Sequence, residues 1–219
     1  MKTLDKIRRP HGGKSMPKKL AFTFLALLLG FALGVFAKFL DLHQTPSWLW
    51  FFDIGNFFGL LLPWAFTALV LAVFSKTPLR AAINVFVFFV GMLLGYYIYC
   101  AIFAGFLPDF SYLSVWIVFT IISPLLAAIC WYGRGKGAPA IIISALIIAY
   151  FILQAFSIAP DLSYFDLNSF SRYSIFPVLF LLGSIGVLFR KPLQSLISVL
   201  AAAAFAYIYI LLPFSIPYV

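Results

Sequence analysis

The chain has 219 residues, 64% of them hydrophobic, and a formal net charge of +9 at neutral pH. With a mean hydropathy of +1.09, it has too little polar side-chain surface to coat a soluble globule. The basic residues crowd the N-terminus and three short hydrophilic breaks, a placement that suits loops flanking membrane spans and argues against a nucleic-acid-binding surface.

Residues 1–19 hold seven lysines and arginines and are broken by Pro10, Gly12, Gly13 and Pro17. They read as a mobile cytoplasmic tail. The apolar run from Leu20 to Leu40 is longer than a signal-peptide core and has no convincing cleavage site, so it is expected to stay as the first span. Within it Ala26, Gly30, Gly34 and Lys38 recur every fourth residue, which places a strip of small side chains and one lysine on a single helix face. Asp41 follows one turn later, so a Lys38/Asp41 pair at i,i+3 is geometrically possible.

A short external loop ending in Trp48 and Trp50 leads to a second span, from about Asp53 to Phe74, with Gly59 and Pro63 as interruptions. After the basic break 75–80, the third span runs from Ala81 to about Phe103 and carries Asn84, the small pair Gly91 and Gly95, and Tyr96 and Tyr97. The fourth covers Tyr112 to Trp131 with Pro124 past its middle, and the fifth Pro139 to Ile158. A longer external loop, 159–174, precedes a short sixth span, Ile175 to Phe189, which contains Gly183 and Gly186. The last span is Leu193 to Leu212, followed by the external tail 213–219.

Thirteen of the 15 basic residues fall at every second break, and five of the six acids fall at the others. This alternation predicts a single domain over 20–212, an all-α polytopic bundle of seven transmembrane helices, with the N-terminus in the cytoplasm and the C-terminus outside. The number becomes six if the short sixth span fails to cross. The expected location is the cell membrane, multi-pass, with anionic lipid headgroups touching the basic breaks.

Enzymatic chemistry finds little to work with. There is no glutamate, the two histidines lie far apart in a tail and a loop, and no metalloprotease, serine-hydrolase or nucleotide-loop motif is present. Cys100 and Cys130 lie in apolar runs and read as buried thiols, so neither a cofactor nor a metal is expected. Lys38, Asp41, Asp53, Asn56, Tyr96 and Tyr97 form the candidate ligand pocket near the external surface, with Phe57 and Phe58 as apolar wall. Lys38 could equally snorkel to water. Ala26, Gly30, Gly34, Gly91 and Gly95 are candidate helix-packing positions, and Pro63, Pro124, Gly183 and Gly186 are candidate helix breaks of the kind that expose backbone to a substrate in carriers.

The expected function is a small-molecule transporter or its substrate-binding membrane subunit. The alternatives are a non-catalytic component that assembles with a partner membrane protein and, less favoured, an enzyme of lipid headgroups. In size, span number and short loops the chain is similar to the substrate-binding components of energy-coupling-factor vitamin transporters, a likeness of architecture that no motif carries. It implies an energising partner subunit.

Overall fold

A computed structural model describes residues 4–10, 15–43, 54–156 and 175–212. In lipid each backbone N–H and C=O must find its partner inside the chain, and long runs of Leu, Ala, Ile and Phe do so as helices. The described residues form a helical bundle without strands. Its helices are α1 (Leu4–Ile7), α2 (Met16–Leu42), α3 (Ile54–Gly59), α4 (Leu61–Phe74), α5 (Pro78–Tyr99), α6 (Phe110–Gly133), α7 (Ala138–Phe156), α8 (Ile175–Leu188) and α9 (Pro192–Leu211). Among them, α2, α5 with its π-helical extension Cys100–Ala104, α6, α7 and α9 are long and apolar enough to cross a membrane. The outer surface is studded with exposed leucines and isoleucines such as Leu25, Ile121, Leu125, Leu182 and Leu200. An apolar coat of this extent belongs against lipid.

The two remaining expected spans are shorter. α4 and α8 have 14 residues each, about 21 Å of helix against a hydrocarbon core of about 30 Å. α4 is preceded by the short helix α3, from which it is separated by a single extended residue, Leu60 (φ −76°, ψ 155°).

Of the breaks expected from proline and glycine, the one at Gly59 is present and the others are not. The second span is interrupted at Gly59 and Leu60, whereas Pro63 lies in the first turn of α4, where a missing N–H costs nothing. Pro124 is inside α6 without ending it. The Thr120 carbonyl that Pro124 cannot bond accepts a hydrogen bond from the Ser123 hydroxyl at 2.9 Å, and membrane helices tolerate proline by this kind of repair. α8 runs unbroken through Gly183 and Gly186.

Packing begins with α2 against α5, which run parallel. A side chain on Gly30 would strike the Phe88 carbonyl, and one on Gly34 the Met92 carbonyl. In return, one on Gly91 would strike the Leu27 carbonyl and one on Gly95 the Phe31 carbonyl. The two glycine pairs therefore mesh backbone to backbone, close enough for Cα–H to face carbonyl oxygen across the interface. Ala26 is buried on the same strip.

Towards the N-terminal ends of these two helices, Asn84 is bonded on both sides. Its Oδ1 accepts from the Thr23 hydroxyl at 2.8 Å, and its Nδ2 donates to the Ser75 hydroxyl oxygen at 3.1 Å.

α7 and α9 form a second parallel pair. Ala145 and Ala149 of α7 share one buried cluster with Ala202 and Ala206 of α9, and Gln194 at the start of α9 donates to the Gly135 carbonyl just before α7. α8 packs on α7 and α4 more than on α9, with the Phe66 ring against Gly183. α6 lies between the two halves and touches α4, α5 and α7.

Candidate functional site

Chemistry-bearing residues gather at three depths along α6. At the end of the bundle where α2 and α5 finish, Lys38 is turned inwards. It is 6% exposed, and its Nζ lies 2.9 Å from Asp41 Oδ2 and 5.3 Å above the rings of Tyr96 and Phe106. The helix spacing explains this. Lys38 continues the Ala26/Gly30/Gly34 face that packs on α5, so its stem is buried with that face and only Asp41, half exposed, reaches towards solvent.

Asp41, Tyr96 and Tyr97 line one crevice here, together with Phe58, Trp64, Tyr112 and Trp116. Of the six expected pocket residues, Asp53 and the side chain of Asn56 lie outside the described residues. The crevice has a volume of about 40 Å³, room for little more than a water. It is an aromatic closure rather than a chamber for an organic ligand, which needs some 300 Å³ or more. The Tyr97 hydroxyl is buried there without a hydrogen-bond partner.

One step further along α6 the space opens. A cavity of about 380 Å³ lies between α4, α5, α6 and α7. Its walls include Ala65, Ala68 and Ala72 of α4, Phe89 of α5, Phe119, Ser123, Ala127 and Cys130 of α6, and Ile147, Tyr150 and Phe151 of α7. Small side chains line it on two helices, with alanines on one face of α4 and Ala127 on α6. Leu126 and Ile129 on one side and Leu146 on the other also line it and are exposed on the outside of the bundle. The mouth therefore opens sideways, towards lipid.

Polar groups in this chamber are few. The Ser123 hydroxyl is engaged with the Thr120 carbonyl, whereas the Tyr150 hydroxyl is buried and has no partner. An unmatched buried hydroxyl costs about 1–3 kcal/mol, so this phenol, set into the wall and closed off from the chamber itself, would gain from any ligand oxygen that reached it. Trp64 and Trp116, with ring centroids 6.3 Å apart, and Phe119, 6.3 Å from Trp116, stand between the chamber and the outer crevice.

At the other end of α6, Trp131 is fully buried and donates from its indole N–H to the Ser75 carbonyl at 2.7 Å. Arg8 lies over its ring, 4.2 Å from the centroid. The same guanidinium donates to the carbonyls of Trp131 (2.5 Å) and Val73 (2.8 Å), in the last turns of α6 and α4. Helix C-termini leave such carbonyls unpaired and carry partial negative charge, so an arginine is well matched to them. The expected mobile tail is thus docked at residues 4–10, with Ile7 also accepting from the Lys136 backbone N–H.

The glycine strips and the Lys38/Asp41 pair are legible in the residue spacing. That spacing did not single out Tyr150, Ala68 or Arg8, whose importance arises only where helices distant in sequence converge. No family model matches the chain, and no curated protein or solved structure does so at a significant level.

Proposed function

We propose that this multi-pass membrane protein is a carrier, or the substrate-capturing membrane subunit of one, for an amphipathic small molecule that enters the bundle from the side. The single observation that supports this most is the 380 Å³ apolar chamber with a lateral mouth and the unpartnered Tyr150 hydroxyl. Its size fits an organic ligand, and its apolar wall, with one unpartnered hydroxyl set into it, suits a mostly apolar molecule that could reach that hydroxyl through one oxygen. The aromatic closure between the chamber and the outer crevice suits a path that opens to one side at a time. Positive charge at the breaks favours the Arg8 end as the cytoplasmic one and the cell membrane as the location. The reading assigns binding and passage and no catalytic step.

The assembly alternative has lost its clearest surface. It relied on Ala26/Gly30/Gly34 or Gly91/Gly95 meeting a partner, and these strips are occupied by each other.

A thermal-shift screen of the purified protein against amphipathic metabolites tests the proposal. A ligand at 100 times its dissociation constant adds about 2.7 kcal/mol of stability. Hits should be lost in Ala68→Phe, which fills the chamber, and weakened about tenfold in Tyr150→Phe, which removes one hydrogen bond. They should then support counterflow in proteoliposomes. Hits that survive Ala68→Phe but vanish in Lys38→Ala and Asp53→Ala would move the site to the outer end. A screen without hits would leave the carrier reading without its ligand and refute it.

A further inference from the structure

The basic end of the bundle holds a second, larger cavity that the carrier reading does not use. It has a volume of about 920 Å³ and is lined by Lys6, Arg8, Arg9, Arg134, Lys136 and Arg190, with Asp5 as the single acid. These six cations come from three places far apart in sequence: the N-terminal arm, the α6–α7 turn and the α8–α9 turn. We infer that this basin is a binding site for a phosphate-bearing anion, either the headgroup of an anionic lipid or a soluble phosphate ester.

The cluster is built rather than incidental. Neutral acceptors hold the arginines in place: Arg8 is fixed by the Val73 and Trp131 carbonyls, and Arg190 donates to the Arg134 carbonyl at 2.5 Å. Arg134 lies over the Phe74 ring, 5.1 Å from its centroid. Among the described residues the one ion pair is Lys38 with Asp41, at the opposite end. Asp5 therefore neutralises none of the six at contact distance.

Carbonyls and ring faces position a guanidinium but leave its full charge, and Arg8 still has donors to spare after its two bonds. Burial, together with the neighbouring Arg134 and Arg190, pushes the Arg8 pKa down to about 10, as expected of cations held together without a counter-charge. It remains protonated at neutral pH.

Phosphate is the anion this arrangement fits best. Guanidinium groups offer planar, paired donors that match phosphate oxygens, and such charge-assisted bonds are the strong ones. The volume exceeds that of a bare phosphate and leaves room for the organic part of an ester. Position at the basic end of the bundle suits a lipid headgroup, and the open basin suits a soluble ester equally. The chemistry is shared, and the source is for experiment to separate.

The test uses the full chain in detergent with pyrophosphate, and in nanodiscs of phosphatidylcholine with or without phosphatidic acid, reading the unfolding temperature at matched ionic strength. At least one of the two probes should stabilise the wild type more than the matched salt does. In the Arg134→Gln/Arg190→Gln double variant the apparent affinity should fall at least about tenfold, while the unliganded protein keeps its unfolding temperature. Lys136→Gln, whose backbone contacts are untouched, provides a milder variant should the double one fold poorly. Stabilisation by phosphatidic acid alone would name a lipid, and by pyrophosphate alone a soluble ester. If neither probe acts beyond matched salt, or if both variants respond as the wild type does, the inference is overturned. Ala68→Phe should leave the anion response intact, which keeps this result independent of the carrier reading.

Discussion

The α2/α5 and α7/α9 pairs are built to the same plan, two parallel helices joined through small residues, yet they achieve contact differently. In α2/α5 four glycines bring backbone against backbone, so that any Cβ would collide with a carbonyl oxygen. In α7/α9 the contact surface is methyl on methyl, from Ala145, Ala149, Ala202 and Ala206. The polar bonds differ too. Asn84 links α5 to Thr23 of α2 and to Ser75, whereas Ser198 in the buried face of α9 returns its hydroxyl to the Gln194 carbonyl of its own helix. Without a hydrophobic driving force between helices in lipid, close packing and inter-helix hydrogen bonds must hold them. By that measure α2/α5 is the rigid half. The chamber opens between the two pairs, with α5 on one side and α7 on the other.

Substitutions can break this contrast, beginning with the largest effect. Gly34→Leu, or Gly91→Leu, forces a side chain into a backbone carbonyl that cannot move without its helix. The loss should exceed the about 1–3 kcal/mol usual for overpacking, and size-exclusion chromatography should show no monodisperse folded protein. Ala202→Leu in the second pair displaces only methyl contacts, so a loss within that same range of about 1–3 kcal/mol is expected, read as a lowered melting temperature. If the two cost the same, the contrast between backbone and methyl contact is wrong.

A smaller pair probes the polar bonds. Asn84→Ala removes both bonds between helices and leaves the Thr23 and Ser75 hydroxyls only the Lys19 and Leu71 carbonyls of their own helices, so it should cost about 1 kcal/mol. Ser198→Ala should change stability by under about 0.5 kcal/mol, because its bond is local to one helix. Equal melting temperatures for the two variants would show that Asn84 does not join the helices.

The smallest effect is a gain. Gly186 lies within α8 with no atom where a Cβ would sit, so Gly186→Ala should stabilise by about 0.5–1 kcal/mol through helix propensity. A loss there would mean that α8 must bend at Gly186 in use, and would restore the helix-break reading for that residue.

Much of the architecture was legible beforehand for a simple reason: each span needs about 20 apolar residues, and apolar length is a property of the sequence itself. The glycine strips were legible because a repeat of four residues marks one helix face. What those strips meet was not, since nothing in the spacing says that Gly30/Gly34 would mesh with Gly91/Gly95 of the same chain. The α7/α9 contact escaped notice because alanine also serves as ordinary helix filler, and the run Ala201 to Ala204 shows no period.

Lys38 and Asp41 mark the boundary most clearly. Their separation of three residues determined that they could pair, since both lie on one helix face. That the lysine turns inwards beneath two aromatic rings was decided by the glycine contact that rotates its face towards α5. The same holds for the sites. Sequence alone determined a helical membrane protein with its basic residues at alternate breaks, because composition and charge placement are local properties. Only the tertiary structure decided that three cations from these breaks, Arg134, Lys136 and Arg190, would stand with Lys6, Arg8 and Arg9 around one basin, and that a chamber would open at Tyr150. Both depend on the distance between helices, which no single helix encodes.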